Sequence, residues 1–205
     1  TDALKLIAKS FLATKNIEDA RLYLNKALDL NPDDYEVIKD VGNTYQAAGD
    51  LNTAKKFHQK AIDINGKYAP ALTNLGNLEL NSGNTQQALP LLLKATESDP
   101  SLAPAWSNLA NAYIKSGEIE EAETACRRAL EINPSLFKSH FLLANILITQ
   151  DNPNQAEAHL RKTIELKPDF AEAYLNLGGV LKDLGKLQEA ELFIRKAIKI
   201  NPDKA

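Results

Sequence analysis

Three histidines and one cysteine are the side chains of this 205-residue chain with the greatest capacity for chemistry. Zinc ligands usually come in pairs about two to five residues apart, and a nucleophilic cysteine needs a base beside it. His58 and His140 are 82 residues apart, His159 follows 19 residues later, and Cys126 has no such neighbour. The chain also lacks a glycine-rich phosphate loop and a His-Glu-x-x-His motif. We therefore predict no catalytic residue, no metal site and no cofactor, and we interpret these four side chains as structural.

The composition disfavours several classes of partner. A net charge of −3 provides no basic excess for nucleic acid or for an anionic membrane surface, so neither is a predicted partner. The chain has no run of 18 apolar residues, and its N-terminus lacks the pattern of a secretory signal. A single cysteine cannot form an internal disulfide, which fits the predicted cytoplasmic location. Because the chain starts at Thr1 and contains no methionine, we expect it to be a segment of a longer protein.

The strongest pattern in the sequence is a period of 34 residues. Prolines recur at this interval from Pro32 onward, with Gly66 in the place of one of them. Alanine recurs at the same interval, without exception, at Ala20, Ala54, Ala88, Ala122, Ala156 and Ala190. A fixed period of this length is typical of a stack of repeated structural units.

Each period contains two stretches with apolar residues at helical spacing, and glycine usually marks the break between them. The break is followed by a residue suited to the N-cap of a second helix, at Asn16, Asp50, Asn84 and Asn152. Pro153 suits the first position of such a helix, whereas an Asn-Pro pair such as Asn31-Pro32 ends one. Pro90 falls inside a second helix, where it should remove one backbone hydrogen bond and bend the helix. Each period is therefore predicted to form a helical hairpin.

The pattern within a period resembles the tetratricopeptide repeat family. In the fourth period the matching residues are Trp106, Leu109-Ala110, Tyr113, Ala122, Cys126, Ala129 and Pro134. The resemblance covers essentially the whole chain and implies an all-α fold, a right-handed α-solenoid (superhelix) of six 34-residue helix-turn-helix units in a single domain, residues 1–205. The implied units are 1–34, 35–68, 69–102, 103–136, 137–170 and 171–204. Each needs a neighbour to bury its apolar face.

A second stripe of the first helix carries asparagine at its sixth position, its ninth position or both in every unit except the first. We call these residues the asparagine ladder: Asn43, Asn74, Asn77, Asn108, Asn111, Asn145 and Asn176. In the family this stripe lines the concave groove. Because an amide both donates and accepts hydrogen bonds, the ladder is predicted to hold the backbone of an extended peptide. Alternatively, amides of neighbouring helices bond one another and stiffen the stack.

Apolar residues beside the ladder are predicted to contact ligand side chains. They are Phe141 and the twelfth residues of four units, Leu12, Leu80, Ile114 and Ile148. The ladder is also similar to that in the superhelix of O-GlcNAc transferases, where repeats recruit protein substrates, although nothing catalytic of those enzymes is present. Lys39, with Asn43 and Asn74, matches three positions of the family's clamp for terminal carboxylates. Pro104 and Asn108 stand where the clamp needs basic residues, which disfavours that ligand.

These patterns predict a protein-protein interaction scaffold that binds a peptide or partner protein in its groove, and not an enzyme. One alternative is self-association into a homo-oligomer through uncapped terminal helices, because the last helix carries Leu192, Ile194, Ala197 and Ile198. Another is that the chain is the substrate-recruiting part of a larger transferase. RNA binding, known for another repeat family of similar length, is disfavoured by the net negative charge.

Overall fold

The computed structural model describes residues 1–202, and within that range it contains twelve α-helices and no strand. The helices are α1 (Asp2–Ala13), α2 (Ile17–Leu30), α3 (Tyr35–Ala47), α4 (Leu51–Ile64), α5 (Ala69–Asn81), α6 (Thr85–Ser98), α7 (Ala103–Ser116), α8 (Ile119–Ile132), α9 (Phe137–Thr149), α10 (Pro153–Leu166), α11 (Ala171–Asp183) and α12 (Leu187–Ile200). Two helices fall in each predicted period, so the predicted all-α helical repeat is confirmed. None of these twelve combines the length and apolar composition needed to cross a membrane.

The chain divides into two compact units, Thr1–Asn108 and Leu109–Ala205, with the boundary inside α7. In the first unit the two helices of a hairpin pack together, and α2 also packs on α3 and α4 on α5. In the second unit α8 packs on α9 and α10 on α11 in the same way. Each hairpin thus covers the apolar face of the next within its unit. That residues 1–205 form a single domain stays a prediction.

The turn inside each hairpin requires a backbone conformation that favours glycine. Gly49, Gly83, Gly117 and Gly185 have φ angles between 75° and 85°. Lys15 and Asp151 take the equivalent places in the first and fifth hairpins, with φ of 59° and 54°. Glycine adopts this left-handed region without steric cost, which explains why it recurs at the break.

All four predicted N-cap residues stand at the N-caps of their helices, and two of them form a side-chain cap bond. The side-chain oxygens of Asn16 and Asp50 accept hydrogen bonds from the backbone N–H of Asp19 (3.3 Å) and Thr53 (3.0 Å). Asn84 and Asn152 also stand at the N-caps of α6 and α10, but their side chains form no cap bond. The Asn84 amide N–H donates to the Glu79 carboxylate at 2.7 Å. Pro153 stands at the start of α10, as predicted.

Small residues let the helices of a hairpin approach closely. The recurring alanine of the second helix is buried in every repeat, from Ala20 to Ala190. Gly42 on α3 faces His58 on α4, and a Cβ atom added at Gly42 would lie 2.8 Å from the imidazole. Gly76 faces Leu92 in the same way, at 2.7 Å. Because such contacts are shorter than carbon atoms tolerate, these positions accept no larger side chain without a shift of the neighbour.

His58 is a core residue, as interpreted from the sequence. Its side chain is fully buried, and neither ring nitrogen has a hydrogen-bond partner among the described residues. Leu24, Leu92, Cys126 and Leu160 occupy the same position in other repeats and are also buried. Burial, followed by the positive charge of Lys39, lowers the pKa of His58 from 6.5 to about 4. The imidazole is therefore neutral at pH 7 and fills space as leucine does elsewhere.

Replacing His58 with leucine should stabilise the protein and reduce its sensitivity to acid. Between pH 6.5 and about 4, the His58 side chain binds a proton in the unfolded chain but not in the folded protein. The free energy of unfolding of the wild type is therefore at its full value above pH 6.5 and decreases as the pH falls. Urea denaturation at pH 7.5 and 4.5 should show that wild type loses roughly 2 to 3 kcal/mol more than His58→Leu. The variant should also gain about 1 kcal/mol at pH 7.5, since two unsatisfied polar atoms are removed. An equal loss in both proteins would contradict the buried, neutral state of His58.

Candidate functional site

Two ladder residues of the first unit, Asn43 on α3 and Asn74 on α5, belong to a hydrogen-bonded row. The Asn74 amide donates to the side-chain oxygen of Asn43 at 2.8 Å, which joins two neighbouring repeats. Asn43 in turn donates to Asp40 at 3.4 Å, and the Lys39 ammonium forms an ion pair with the same carboxylate. These four side chains are partly exposed. Lys39, predicted as part of the site, is therefore engaged by Asp40 within its own helix.

The second unit contains a matching amide pair beside a cavity. The Asn176 amide donates to the side-chain oxygen of Asn145 at 2.7 Å, so α9 and α11 are joined as α3 and α5 are. Both residues line a cavity of about 340 Å³. Its other lining residues are Ile148, Leu175, Gly179, Val180 and Asp183. A side chain added at Gly179 would meet no atom within 4 Å, so the cavity is open above this residue.

The remaining ladder residues are not engaged in this way. Asn77 and Asn108 in the first unit and Asn111 in the second are partly exposed. Within residues 1–202, none of their side chains forms a hydrogen bond to the protein. Each amide retains two donors and one acceptor for a ligand or for water. The ladder thus consists of two bonded pairs and three unbonded amides.

The apolar strip beside the ladder is narrower than predicted. Leu80 is fully buried and is not available to a ligand, contrary to the sequence-based expectation. Phe141 packs edge-to-face on Phe170, with ring centroids 4.8 Å apart, and is partly buried. Ile148 is 38% exposed and lines the cavity at Asn145 and Asn176. Among these residues Ile148 offers the most apolar surface to a ligand.

Two histidines that are distant in sequence meet in the second unit. His140 Nε2 lies 2.9 Å from the carbonyl of Pro134, which only accepts, so Nε2 carries a proton and donates it. Nδ1 of His140 lies 2.9 Å from Nδ1 of His159, so one of these two nitrogens donates a hydrogen bond to the other. Burial, followed by the charges of His140 and Arg127, lowers the pKa of His159 and favours its neutral form. The two rings are thus joined by one hydrogen bond between their Nδ1 atoms.

Spacing along the chain does not reveal this pair, but position within the repeat does. His140 and His159 are the fourth and twenty-third residues of their unit, and Tyr174 and Phe193 occupy the same two positions in the next. Those rings also contact each other, with centroids 6.0 Å apart. The histidines therefore replace an aromatic pair. Across residues 1–202, no three His, Cys, Asp or Glu side chains are grouped so as to hold a metal ion.

Cys126 is a core residue, as interpreted from the sequence. Its side chain is fully buried. Burial raises the pKa of the thiol to about 12, and the charge of Glu123 contributes in the same direction. Because only the thiolate is an effective nucleophile, this cysteine is unreactive in the folded protein.

Comparison with known families agrees with these repeats. A family model described as the cilia and flagella-associated protein 70 C-terminal domain, a tetratricopeptide-repeat domain, matches residues 34–205. A tetratricopeptide repeat model matches residues 2–34. The chain belongs to this tetratricopeptide-repeat family. No curated protein sequence shows significant similarity to it.

Solved structures share the tetratricopeptide-repeat fold at low sequence identity. The structure titled "Functional Characterization of Pseudomonas Aeruginosa pilF" has a TM-score of 0.88 and 18% identity, and the alignment covers 99% of this chain and 92% of that one. Cut9-Hcn1 of the APC/C has a TM-score of 0.87 and 15% identity, with coverages of 98% and 40%. YrrB, titled a TPR protein with an unusual peptide-binding site, has a TM-score of 0.66 and 22% identity, with coverages of 88% and 93%. At these identities the likeness shows the fold alone.

The bonded amides should be energetically coupled, whereas the unbonded ones should not. In a double-mutant cycle, Asn145→Ala and Asn176→Ala should show a coupling of about 1 kcal/mol in urea denaturation, the usual net value of a hydrogen bond. Asn77→Ala and Asn108→Ala form the matched control and should be additive within about 0.3 kcal/mol. The cycle cancels the helix propensity of alanine. Equal coupling in the two cycles would argue against the distinction between bonded and unbonded amides.

Proposed function

We propose that this chain is a protein-interaction scaffold that binds an extended polypeptide segment along the asparagine ladder. The observation that carries the proposal is that Asn77, Asn108 and Asn111 are partly exposed and form no hydrogen bond to a described residue. The backbone of an extended peptide presents N–H and C=O groups in alternation, and an asparagine amide satisfies either. Repetition of the amide at the repeat interval provides such contacts along a segment without regard to its sequence.

The expected affinity is modest. Each amide hydrogen bond contributes about 1 kcal/mol net to the binding free energy. Four or five such bonds favour binding, but they do not by themselves outweigh the entropy lost when a flexible peptide becomes ordered. Micromolar binding needs about −8 kcal/mol, so apolar contacts must supply much of the rest. The cavity with Ile148 at its edge is the proposed place for a ligand side chain, because its 340 Å³ volume is large enough for one. Sequence preference would arise there.

A terminal carboxylate is not the proposed ligand. Lys39, the basic residue that matches the family's carboxylate clamp, already pairs with Asp40. Pro104 and Asn108 provide no further charge at the two remaining clamp positions. An internal peptide segment, held by backbone contacts, fits the neutral ladder better because a terminal charge would find no charge-assisted partner.

Relatives of the same fold support a binding role. The YrrB structure, which shares the tetratricopeptide-repeat fold, is titled for its peptide-binding site. The similarity of the ladder to that of O-GlcNAc transferases also favours substrate or partner recruitment within a larger protein. We propose a non-catalytic role for the repeats themselves.

Removing two of the unbonded amides should weaken partner capture without loss of stability. Three proteins are each immobilised and exposed to cell lysate. They are the wild type, a double variant that carries both Asn77→Ala and Asn108→Ala, and a matched control that carries both Asn25→Ala and Asn52→Ala. Asn25 and Asn52 are exposed on the second helices α2 and α4. Quantitative mass spectrometry should show partners retained by wild type and control but reduced about thirtyfold by the ladder variant, since two amide contacts contribute about 1 kcal/mol each. Equal capture by all three proteins would contradict ladder binding.

Self-association through α12 is a second candidate, favoured by its exposed apolar side chains. Leu187 is 64% exposed, Leu192 is 63% exposed and Ile198 is 45% exposed. If this face binds another copy, sedimentation should show a mass that rises with concentration, and Leu192→Lys with Ile198→Lys should restore the monomer because a buried lysine pair is costly. A monomer at all concentrations would exclude this candidate and leave ladder binding unaffected.

A further inference from the structure

A cleft of about 710 Å³ lies in the first unit between the second helices α4 and α6, with α5 beneath it. Its lining residues are Lys55, Lys56, Gln59, Leu75, Glu79, Gln86, Gln87, Pro90, Leu91 and Lys94. The ladder residues Asn74 and Asn77 are absent from this set. Since successive residues are about 100° apart around a helix, Leu75 and Glu79 lie on a different stripe of α5. The cleft is therefore separate from the ladder.

The cleft is open because this repeat lacks the rings that fill the same place one repeat earlier. Between α2 and α4, Tyr45 stacks on Phe57 with centroids 5.4 Å apart, and Arg21 lies 4.2 Å above Tyr45. The residues 34 positions later are Glu79, Leu91 and Lys55. A carboxylate and a branched aliphatic side chain thus replace two stacked rings, and the smaller volume leaves a space.

Between α10 and α12 in the second unit, the corresponding place is occupied by a ring and an ion-pair network. Phe193 is the equivalent of Leu91, and the Arg161 guanidinium lies 5.4 Å from its centroid. Arg161 also forms an ion pair with Glu189 at 2.6 Å, and Lys186 pairs with Glu157 at 2.7 Å. Cations at this level of the repeat are therefore neutralised by neighbouring acids in the second unit.

The rim of the cleft carries two lysine side chains that form no ion pair with a described residue. Glu79 is only 9% exposed and receives hydrogen bonds from Lys55 at 2.9 Å and Asn84 at 2.7 Å. Burial alone would raise the pKa of the Glu79 carboxyl, but these two hydrogen bonds outweigh burial and lower it, so Glu79 is ionised and neutralises Lys55. Lys56 and Lys94 are exposed and form no ion pair with a described residue. The cleft therefore presents two free ammonium groups.

Pro90 adds an apolar wall and a free backbone acceptor. The helix α6 runs from Thr85 to Ser98 through Pro90. Because proline has no N–H, the carbonyl of Gln86 lacks its usual partner four residues ahead. Gln86 and Pro90 both line the cleft, and the side chains of Leu75 and Leu91 form its floor. The walls thus combine an apolar surface, a backbone acceptor and positive charge.

We propose that this cleft binds an acidic segment of a partner polypeptide. An apolar side chain of the segment packs on Leu75, Pro90 and Leu91, its carboxylates meet Lys56 and Lys94, and one of its N–H groups reaches the Gln86 carbonyl. Charge complementarity selects this occupant, because the free charges of the rim are both positive. This second site is independent of the proposed ladder function and would engage a different part of a partner or a different partner.

The test uses fluorescence anisotropy with two defined probes at low salt. One is a fluorescein-labelled peptide that alternates glutamate with leucine, and the other carries glutamine in place of every glutamate. The double variant Lys56→Gln with Lys94→Gln should bind the acidic peptide about fivefold more weakly than wild type, as expected for two partly exposed charge pairs. The matched control, Lys60→Gln with Lys67→Gln, removes two exposed charges outside the cleft and should bind within about twofold of wild type.

A second variant tests the cleft by shape and leaves the charges intact. Leu91→Phe places a ring where Phe57 and Phe193 stand in other repeats, and this ring should fill the cleft. Binding of the acidic peptide should then be at least fivefold weaker, while circular dichroism shows an unchanged helix content.

The proposal is overturned if the glutamine peptide binds as tightly as the acidic one, or if both lysine variants behave alike. Loss of binding only in the Asn77 and Asn108 variant would also overturn it, because the peptide would then lie on the ladder. No binding of the acidic peptide to wild type would likewise exclude this occupant.

Discussion

Every repeat in this chain depends on how closely its two helices approach. The eighth residue of every repeat lies in its first helix and is glycine or alanine, as at Gly42 and Gly76. The twentieth residue lies in the second helix and is always alanine. Opposite Gly42 and Gly76 a single added carbon would come within 3 Å of the facing side chain. Because close-packed interiors tolerate little change in volume, the larger positions around this contact must adjust to one another. This constraint gives the chain its 34-residue period.

Once the packing stripes are set, the neighbouring stripe of the first helices is available for other contacts. The sixth residue of one repeat then meets the ninth residue of the preceding one, as Asn74 meets Asn43 and Asn176 meets Asn145. Each such bond uses one donor and one acceptor, so the amides keep further capacity. Departures from the repeat pattern introduce local chemistry on the second helices, where Glu79 and Leu91 stand in place of stacked rings. The regular positions build the fold, and the irregular ones distinguish its surfaces.

The period alone predicts the twelve helices, the turns at Gly49 and its equivalents, and the burial of His58 and Cys126. It does not predict which amides pair, since Asn108 also follows Asn77 by 31 residues and yet no bond joins them. That choice depends on side-chain rotamers and on small differences in helix position. The pair of His140 and His159 escapes a search along the chain because repeat geometry, not sequence spacing, brings the two rings together. The period also does not predict which N-cap residues form a side-chain cap bond, since Asn16 does and Asn84 does not.

Contact between the unbonded ladder amides and a bound peptide can be observed in the nuclear magnetic resonance spectrum of the side-chain amide groups, recorded on the ¹⁵N-labelled chain with and without a captured partner peptide. The NH₂ signals of Asn77, Asn108 and Asn111 should shift and exchange more slowly with water, while those of Asn25 and Asn52 should stay in place. Unchanged ladder signals, together with shifts confined to the second helices, would contradict peptide binding along the ladder.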